Sequence, residues 1–197
     1  MLDIDDRRTQ RLRLRPFTLA DLDDVAAYHS LPEVVRYLYW EVRGRDEVRA
    51  ALEERRLMHR FAHEGDSVVL AVELAETGRV IGEVNLRWVS VAHQQGEFGF
   101  VFNPDHHGRG YASEAAGRLL DVAFDELGLH RVYGRADADN IASAALMRRL
   151  GLRQEAHFVQ NEIFKGAWGD EVVFAILADE WRARGQGNAR SNQRTSQ

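Results

Sequence analysis

A glycine-containing turn between a short strand and a long helix most strongly constrains what this chain can fold into. The strand pattern covers Gly96–Phe102, which is rich in aromatic and β-branched residues, and the turn is His107-Gly108-Arg109-Gly110. After the turn, apolar residues keep a helical spacing for about four turns, at Ala112, Ala115, Ala116, Leu119, Leu120, Ala123 and Leu127. The sequence therefore predicts a strand, a tight turn and an amphipathic helix in direct succession.

The start of this helix predicts an anion-binding site. The first backbone N–H groups of a helix have no intrahelical partners and lie at the positive end of the helix dipole. Gly108 and Gly110 carry no side chains that would keep a phosphate away from these groups, and Arg109 offers a positive charge. Neither common nucleotide fingerprint is present, because Ser113 stands where a third glycine is needed and no Gly-Lys-Ser/Thr occurs here. The alternative is that the two glycines only form a turn and bind no anion.

The run His107-Gly108-Arg109-Gly110-Tyr111-Ala112 resembles the acetyl-CoA pyrophosphate loop of the GNAT N-acetyltransferases, whose pattern is Gln/Arg-x-x-Gly-x-Gly/Ala. The extension to Ala115 is similar to the branch that acetylates ribosomal-protein N-termini. The resemblance implies acetyl-CoA as cosubstrate, with its diphosphate bound by His107, Gly108, Arg109, Gly110, Tyr111, Ala112 and Ser113. His107 departs from the usual Gln or Arg, and we expect this to be tolerated because the loop acts through main-chain N–H groups.

Length, composition and charge limit the possible classes of protein. The chain has 197 residues, which predicts one domain, and its net charge of −5 argues against a general nucleic-acid partner. No apolar run approaches a membrane span and the first residues lack a secretory signal, so we expect no membrane partner. The chain contains no cysteine, which excludes disulfides, thiolate metal sites and an acyl-cysteine intermediate. We expect a cytoplasmic protein without a metal.

The order of predicted elements is similar to the GNAT fold over residues 10–182. It implies an α/β (α+β) domain over 1–184, with a mixed, mostly antiparallel sheet of about seven strands flanked by about four helices. Residues 1–10 are expected to be loose and 185–197 to be a disordered tail. The predicted strands cover 11–15, 68–74, 79–89, 96–102, 131–136, 153–161 and 171–177. The predicted helices begin near residues 18, 45, 112 and 140, and the second is expected to extend to about residue 64.

Two further segments carry the resemblance. In the family, the strand before the loop separates from its neighbour, which implies that the backbone of Phe100, Val101 and Phe102 holds the pantetheine arm. Asn140-x-x-Ser143 resembles a CoA-facing segment, although Asn140 is also a favourable helix N-cap.

At the position of Met147, many relatives carry a tyrosine that protonates the leaving thiolate, whereas methionine cannot donate a proton. Ser143 is then the nearest hydroxyl candidate for this role.

Glu97, on the strand before the loop, is the leading candidate for the base, because some relatives place a base there. Glu83 on the neighbouring strand is the second candidate. Whether Asp170 binds substrate or only holds a turn stays open.

His59 and His63 are four residues apart on the predicted second helix, a spacing that can hold a metal. No third ligand is identifiable nearby, so we interpret them as part of a solvated face.

The resemblance implies direct attack of a primary amine on the thioester in a ternary complex. The acceptor is a protein N-terminus or a small-molecule amine, and its pocket is expected between the loops 37–40 and 164–170. Two alternatives stay open: a catalytically silent acyl-CoA-binding regulator, favoured by Met147, and an unrelated phosphate-binding module. Monomer and homodimer are both compatible with the sequence.

Overall fold

A mixed eight-stranded sheet forms the centre of the molecule in a computed structural model that describes residues 1–184. The strands are β1 (Leu2–Asp3), β2 (Arg7–Arg8), β3 (Leu12–Pro16), β4 (Arg60–Phe61), β5 (Ser67–Leu74), β6 (Val80–Ser90), β7 (Gln95–Phe102), β8 (Arg131–Asp137), β9 (Arg153–Phe164) and β10 (Ala167–Leu177). The order of the strands in the large sheet is β2-β3-β5-β6-β7-β8-β10-β9, and within the described residues only β7 and β8 pair in parallel. The predicted mixed, mostly antiparallel sheet is confirmed.

Helices cover both faces of this sheet. They are α1 (Leu22–His29), α2 (Pro32–Val35), α3 (Arg45–Arg55), α4 (Tyr111–Asp121) and α5 (Ile141–Arg149), and residues 178–184 are also helical. Strand β5 shows why both faces are covered: Val68, Leu70 and Val72 pack in one core with α4 and α5, whereas Val69 and Ala71 pack with α1 and α3. Alternate residues of a strand point to opposite faces, so a strand that is apolar throughout is buried on both.

The first ten residues are ordered, contrary to the sequence-based expectation. Leu2 pairs with Phe61 across the small β1–β4 sheet, and Ile4 is completely buried in the main core. Strand β2 pairs with β3 at the edge of the large sheet. The segment contains few apolar residues, which is why it was expected to be loose. Burial of Leu2 and Ile4 in the same core as Phe61 holds it in place. The expected tail, 185–197, lies outside the described residues.

The helix predicted to extend to residue 64 ends at Arg55. Beyond it, the Val69 N–H donates to the Met58 carbonyl at 2.7 Å, and Phe61 lies in β4 with its side chain completely buried. Strand pairing with β1 therefore replaces the helix. His59 and His63 do not share a helical face, and the described residues contain no group of three His, Asp or Glu arranged to hold a metal ion.

The last two strands form a longer hairpin than the sequence pattern predicted. Lys165 and Gly166 have φ values of 48° and 85°, and this pair of positive φ values closes a two-residue turn between β9 and β10. Trp168, Gly169 and Asp170 consequently lie in β10, not in a loop. Among the described residues, no helix is long and apolar enough to cross a membrane.

Candidate active site

The parallel strands β7 and β8 separate in the middle of the sheet. They pair from Gln95 to Glu97 on one strand and from Arg131 to Tyr133 on the other, and no pairing follows in the described residues. Phe100, Val101 and Phe102 pair only with β6, so the opposite edge of β7 is open. Such an edge presents unpaired backbone N–H and C=O groups, which can bind an extended amide-containing ligand.

Strand β7 leads into a loop with an unusual supply of free backbone donors. The predicted strand, turn and helix occur as expected, and Gly108 and Gly110 have φ values of 75° and 80°. Within the described part of the chain, no backbone N–H from Gly108 to Ser113 donates to a protein acceptor; the first that does is Glu114. A β-carbon built on Gly108 meets nothing within 4 Å. The loop is therefore open to a ligand, and its donors suit a diphosphate.

The N-terminal segment braces this loop, a feature that the sequence did not predict. The Glu114 carboxylate accepts from the Thr9 hydroxyl at 2.5 Å and from the Arg11 backbone N–H at 2.9 Å, and it pairs with the Arg11 guanidinium at 2.6 Å. Arg11 also donates to the Arg109 carbonyl at 3.0 Å and lies 4.6 Å from the centre of the Tyr111 ring. Arg11 thereby neutralises the one carboxylate in the first turn of α4.

Helix α5 begins beside the separated strands. The Asn140 side chain accepts from the Ser143 N–H at 3.1 Å, so the predicted N-cap is confirmed. Met147 is buried at the base of the split: a β-carbon on Gly134 would lie 2.9 Å from its sulfur and 2.8 Å from the Phe98 ring. No proton donor therefore replaces the missing tyrosine at this position.

A cleft opens on the sheet face opposite α4, directly beside the point where β7 and β8 separate. It contains about 520 Å³ of unoccupied space, part of it open to solvent, and is lined by Tyr37, Tyr39, Glu97, Arg135, Ala136, Asp137, Glu162, Phe164, Gly169, Asp170 and Glu171. Glu97 is the last residue of β7 that pairs with β8, and it lines this cleft. Its carboxylate accepts from Arg135 at 3.0 Å and from the Tyr133 hydroxyl at 3.2 Å.

Residues 36–41, which we call the strap, lie over one side of the cleft. Lys165, the only lysine of the chain, donates to the carbonyls of Val35 at 3.0 Å and Trp40 at 3.3 Å. Tyr39 donates to Glu162 at 2.6 Å, and Tyr37 donates to the Asp139 carbonyl at 3.2 Å. The strap is therefore fixed to the tip of the β9–β10 hairpin.

Glu83, the second candidate for the base, is buried away from the cleft. It is 3% exposed and is surrounded by the Tyr28 hydroxyl, His29 and the Arg55 guanidinium, which donates to it. Burial raises the pKa of Glu83, but Arg55 and His29 outweigh it, so that this pKa lies below its ordinary value. A carboxylate enclosed in this way stabilises the packing of α1 and α3 on the sheet and has no open path to a substrate.

The remaining sequence candidates lie at the β9–β10 hairpin and at the start of the loop. Asp170 accepts from the Gln160 N–H and contacts the His157 ring, both at 2.9 Å, so its carboxylate fixes the irregular part of the hairpin. His107 ends the 3₁₀ turn before the loop and is exposed. Burial and the nearby Arg109 lower the pKa of His106, which keeps its ring neutral at neutral pH.

Strands β7 and β8 separate, β7 leads into a loop of free backbone amides, and a cleft lies beside the split on the other face of the sheet. Residues 11–153 match the family described as acetyltransferase (GNAT) domain. The chain belongs to this family of acetyltransferases, as the loop motif predicted.

Known relatives agree with this assignment over nearly the whole chain. The uncharacterised N-acetyltransferase YnaD of Bacillus subtilis (strain 168) is 32% identical over 174 residues, which cover 88% of this chain and 97% of that protein. A GNAT-family acetyltransferase from Bacillus anthracis has a similar crystal structure, with a TM-score of 0.80, 28% identity and coverage of 89% and 99% of the two chains. Spermidine N-acetyltransferase from Vibrio cholerae, solved with CoA and spermine, gives a TM-score of 0.73 at 25% identity, covering 88% and 99%.

Proposed function

We propose that this acetyltransferase transfers an acetyl group from acetyl-CoA to a primary amine by direct attack in a ternary complex. One observation carries the proposal: the separation of β7 and β8 begins at Glu97, on the wall of the cleft, and β7 continues into the loop of free amides. Donor and acceptor would thus meet at a single gap in the sheet. The family membership and the CoA complex of the Vibrio cholerae relative support the choice of donor.

The residues of the chain would divide the work of binding between backbone and side chains. The amides from Gly108 to Ser113, with Arg109, would hold the diphosphate, and the open edge of β7 at Phe100, Val101 and Phe102 would hold the pantetheine amides. When bound, acetyl-CoA supplies an activated acetyl thioester whose C–S bond is exchanged for a C–N bond to the acceptor. Asn140 and Ser143 would flank the sulfur side.

Glu97 would accept a proton from the acceptor ammonium, directly or through water. The ammonium loses two protons during the transfer: one leaves through Glu97 to solvent, and the other protonates the departing thiolate of CoA, near Ser143. Arg135 and Tyr133 orient the carboxylate, and the residual accepting capacity of its two oxygens is available to the amine. Positioning of the two substrates contributes most of the rate acceleration. Because Met147 replaces the usual tyrosine, no conventional acid protonates the leaving thiolate.

A silent acyl-CoA-binding regulator with the same fold is the second candidate, and the buried Met147 is the observation that favours it. An amine panel separates the two functions. We would measure CoA release with small amines, with spermidine and with ribosomal-protein N-terminal peptides. Acetyl transfer to any of them excludes the regulator, whereas tight CoA binding without any transfer supports it.

The first prediction concerns Glu97→Gln. We expect kcat to fall about a hundredfold, the range of a lost general base, with the KM for acetyl-CoA unchanged. Glu76→Gln, at an exposed carboxylate in the turn after β5, is the matched control and should behave as the wild type. Unchanged turnover of Glu97→Gln across pH would remove Glu97 from the mechanism.

The second prediction concerns the strap. Lys165→Ala removes the hydrogen bonds to Val35 and Trp40 and a 3.2 Å contact with Glu41. Each hydrogen bond to a charged group contributes about 1.5 kcal/mol, so we expect the KM for the acceptor to rise about tenfold and the KM for acetyl-CoA to stay constant. Lys165→Arg keeps the charge and should recover part of the loss. An equal rise in both KM values would show that the strap does not belong to the acceptor site.

A further inference from the structure

The charge on the walls of the acceptor cleft is strongly unbalanced. Five carboxylates line it, those of Glu97, Asp137, Glu162, Asp170 and Glu171, against the single guanidinium of Arg135. They come from four different strands, which place them around one cavity directly beside the split. A cavity with excess negative charge attracts cations and excludes anions.

One of these carboxylates is buried without full compensation. Glu171 is 7% exposed, and its only side-chain partner in the described residues is Arg135 at 3.1 Å. The same guanidinium also donates to the Glu97 carboxylate at 3.0 Å, so one positive charge is shared between two carboxylates. Burial raises the pKa of Glu171, with Glu162 and Glu97 acting in the same direction and Arg135 opposing. A cationic ligand would supply the charge that is missing here.

The aromatic lining of the cleft is an independent indication of the ligand class. Tyr37, Tyr39 and Phe164 form its walls, and Tyr39 meets the Phe164 ring edge-on with centroids 5.4 Å apart. Aromatic faces bind alkylammonium groups and the methylene chains between them. Carboxylates together with aromatic walls therefore suit an alkyl chain that carries more than one ammonium group.

We propose that the acceptor is a short di- or triamine whose reacting amine faces Glu97 and whose second ammonium is held by Glu162 and Glu171 below Tyr39. This proposal rests on the acetyl transfer proposed above and adds the substrate class. Glu97 and Glu171 both contact the Arg135 guanidinium, so their carboxylates lie close together. A short alkyl chain with an ammonium group at each end can therefore reach both carboxylates. The Tyr39 hydroxyl orients Glu162 at 2.6 Å toward the same space. A monoamine leaves the second position empty.

The test compares 1,4-diaminobutane with pentan-1-amine, which has the same length but a methyl group in place of the second ammonium. For the wild type we expect a kcat/KM ratio of at least about fiftyfold in favour of the diamine, as a charged hydrogen-bonded contact implies. Glu162→Gln, at a half-buried position, should lower the diamine value about tenfold and leave the monoamine value unchanged. Glu171→Gln should also lower the ratio of the diamine value to the monoamine value; this ratio is the measurement for that variant, because Glu171 shares the Arg135 guanidinium with Glu97. Glu76→Gln is the control.

Binding gives a second measurement that does not depend on turnover. Calorimetric titration of 1,4-diaminobutane into the CoA-saturated protein should show binding that Glu162→Gln weakens about tenfold. If no amine is acetylated but this binding is present, the proposed function fails and the diamine site stands. Equal use of diamine and monoamine, a preference that both Gln variants retain, a preference for N-terminal peptides, or absence of diamine binding would each overturn the site.

Discussion

Replacing Ser113 with aspartate is expected to raise the KM for acetyl-CoA several hundredfold without destabilising the fold. Ser113 lies in the first turn of α4, beside the unpaired N–H groups of the loop. A carboxylate about 4 Å from a phosphate oxygen costs about 4 kcal/mol at an effective dielectric constant of about 20, and about 1.4 kcal/mol is tenfold in affinity. The same carboxylate stabilises the helix, because negative charge is favourable near a helix N-terminus.

The opposite effects on ligand affinity and stability make this variant informative. Ser113→Ala is the matched control: it removes the hydroxyl that Arg149 contacts at 3.3 Å without adding charge, and its KM should change by less than about threefold. Steady-state kinetics, calorimetric binding of CoA and thermal unfolding give the three measurements. A well-folded Ser113→Asp variant with unchanged CoA affinity would show that the diphosphate binds elsewhere.

The loop and its helix could be predicted from sequence because local patterns determine them. Glycine at positive φ, a following apolar periodicity and the Asn140 cap act over a few residues, and each is found where the sequence indicated. The same reasoning extended the second helix too far, because Met58 and Phe61 fit a helical spacing. The helical spacing gives no sign that Phe61 lies in a strand that pairs with Leu2.

The parts of the site that were missed depend on contacts between distant segments. Arg11 reaches Glu114, Arg135 reaches Glu97 and Glu171, and Lys165 reaches the strap, and none of these pairs shares a local motif. Charged residues are abundant in this chain, at 29%, so composition gives no means of choosing partners. The choice between Glu97 and Glu83 as base illustrates this: both lie on adjacent strands, and only the fold leaves one open to the cleft and buries the other.

The burial of Glu83 leads to the largest expected effect on stability, that of Arg55→Met. Arg55 donates to the Glu83 carboxylate, and the two side chains are 14% and 4% exposed. Removal of one partner leaves a buried charge without compensation, which costs about 3–5 kcal/mol. The double variant Arg55→Met/Glu83→Gln removes both charges and should recover most of this loss. Urea unfolding of the wild type, the two single variants and the double variant completes the cycle.

The pH dependence of Arg55→Met should have the opposite sign to that of the wild type. In the wild type the pKa of Glu83 lies below its ordinary value of 4.5, so its contribution is present above this pH and is lost as the pH falls. Without Arg55, burial dominates and raises the pKa of Glu83, so the folded state binds the extra proton. The stability deficit of the variant should therefore shrink as the pH falls from neutrality toward the ordinary value of 4.5. In the wild type, burial lowers the pKa of His29, and Arg55 acts in the same direction while Glu83 opposes. Once Arg55 is removed, protonation of His29 beside the Glu83 carboxylate would also reduce the deficit as the pH falls. A deficit that is independent of pH, or a double variant as unstable as Arg55→Met, would mean that Arg55 stabilises the fold through packing and not through its charge.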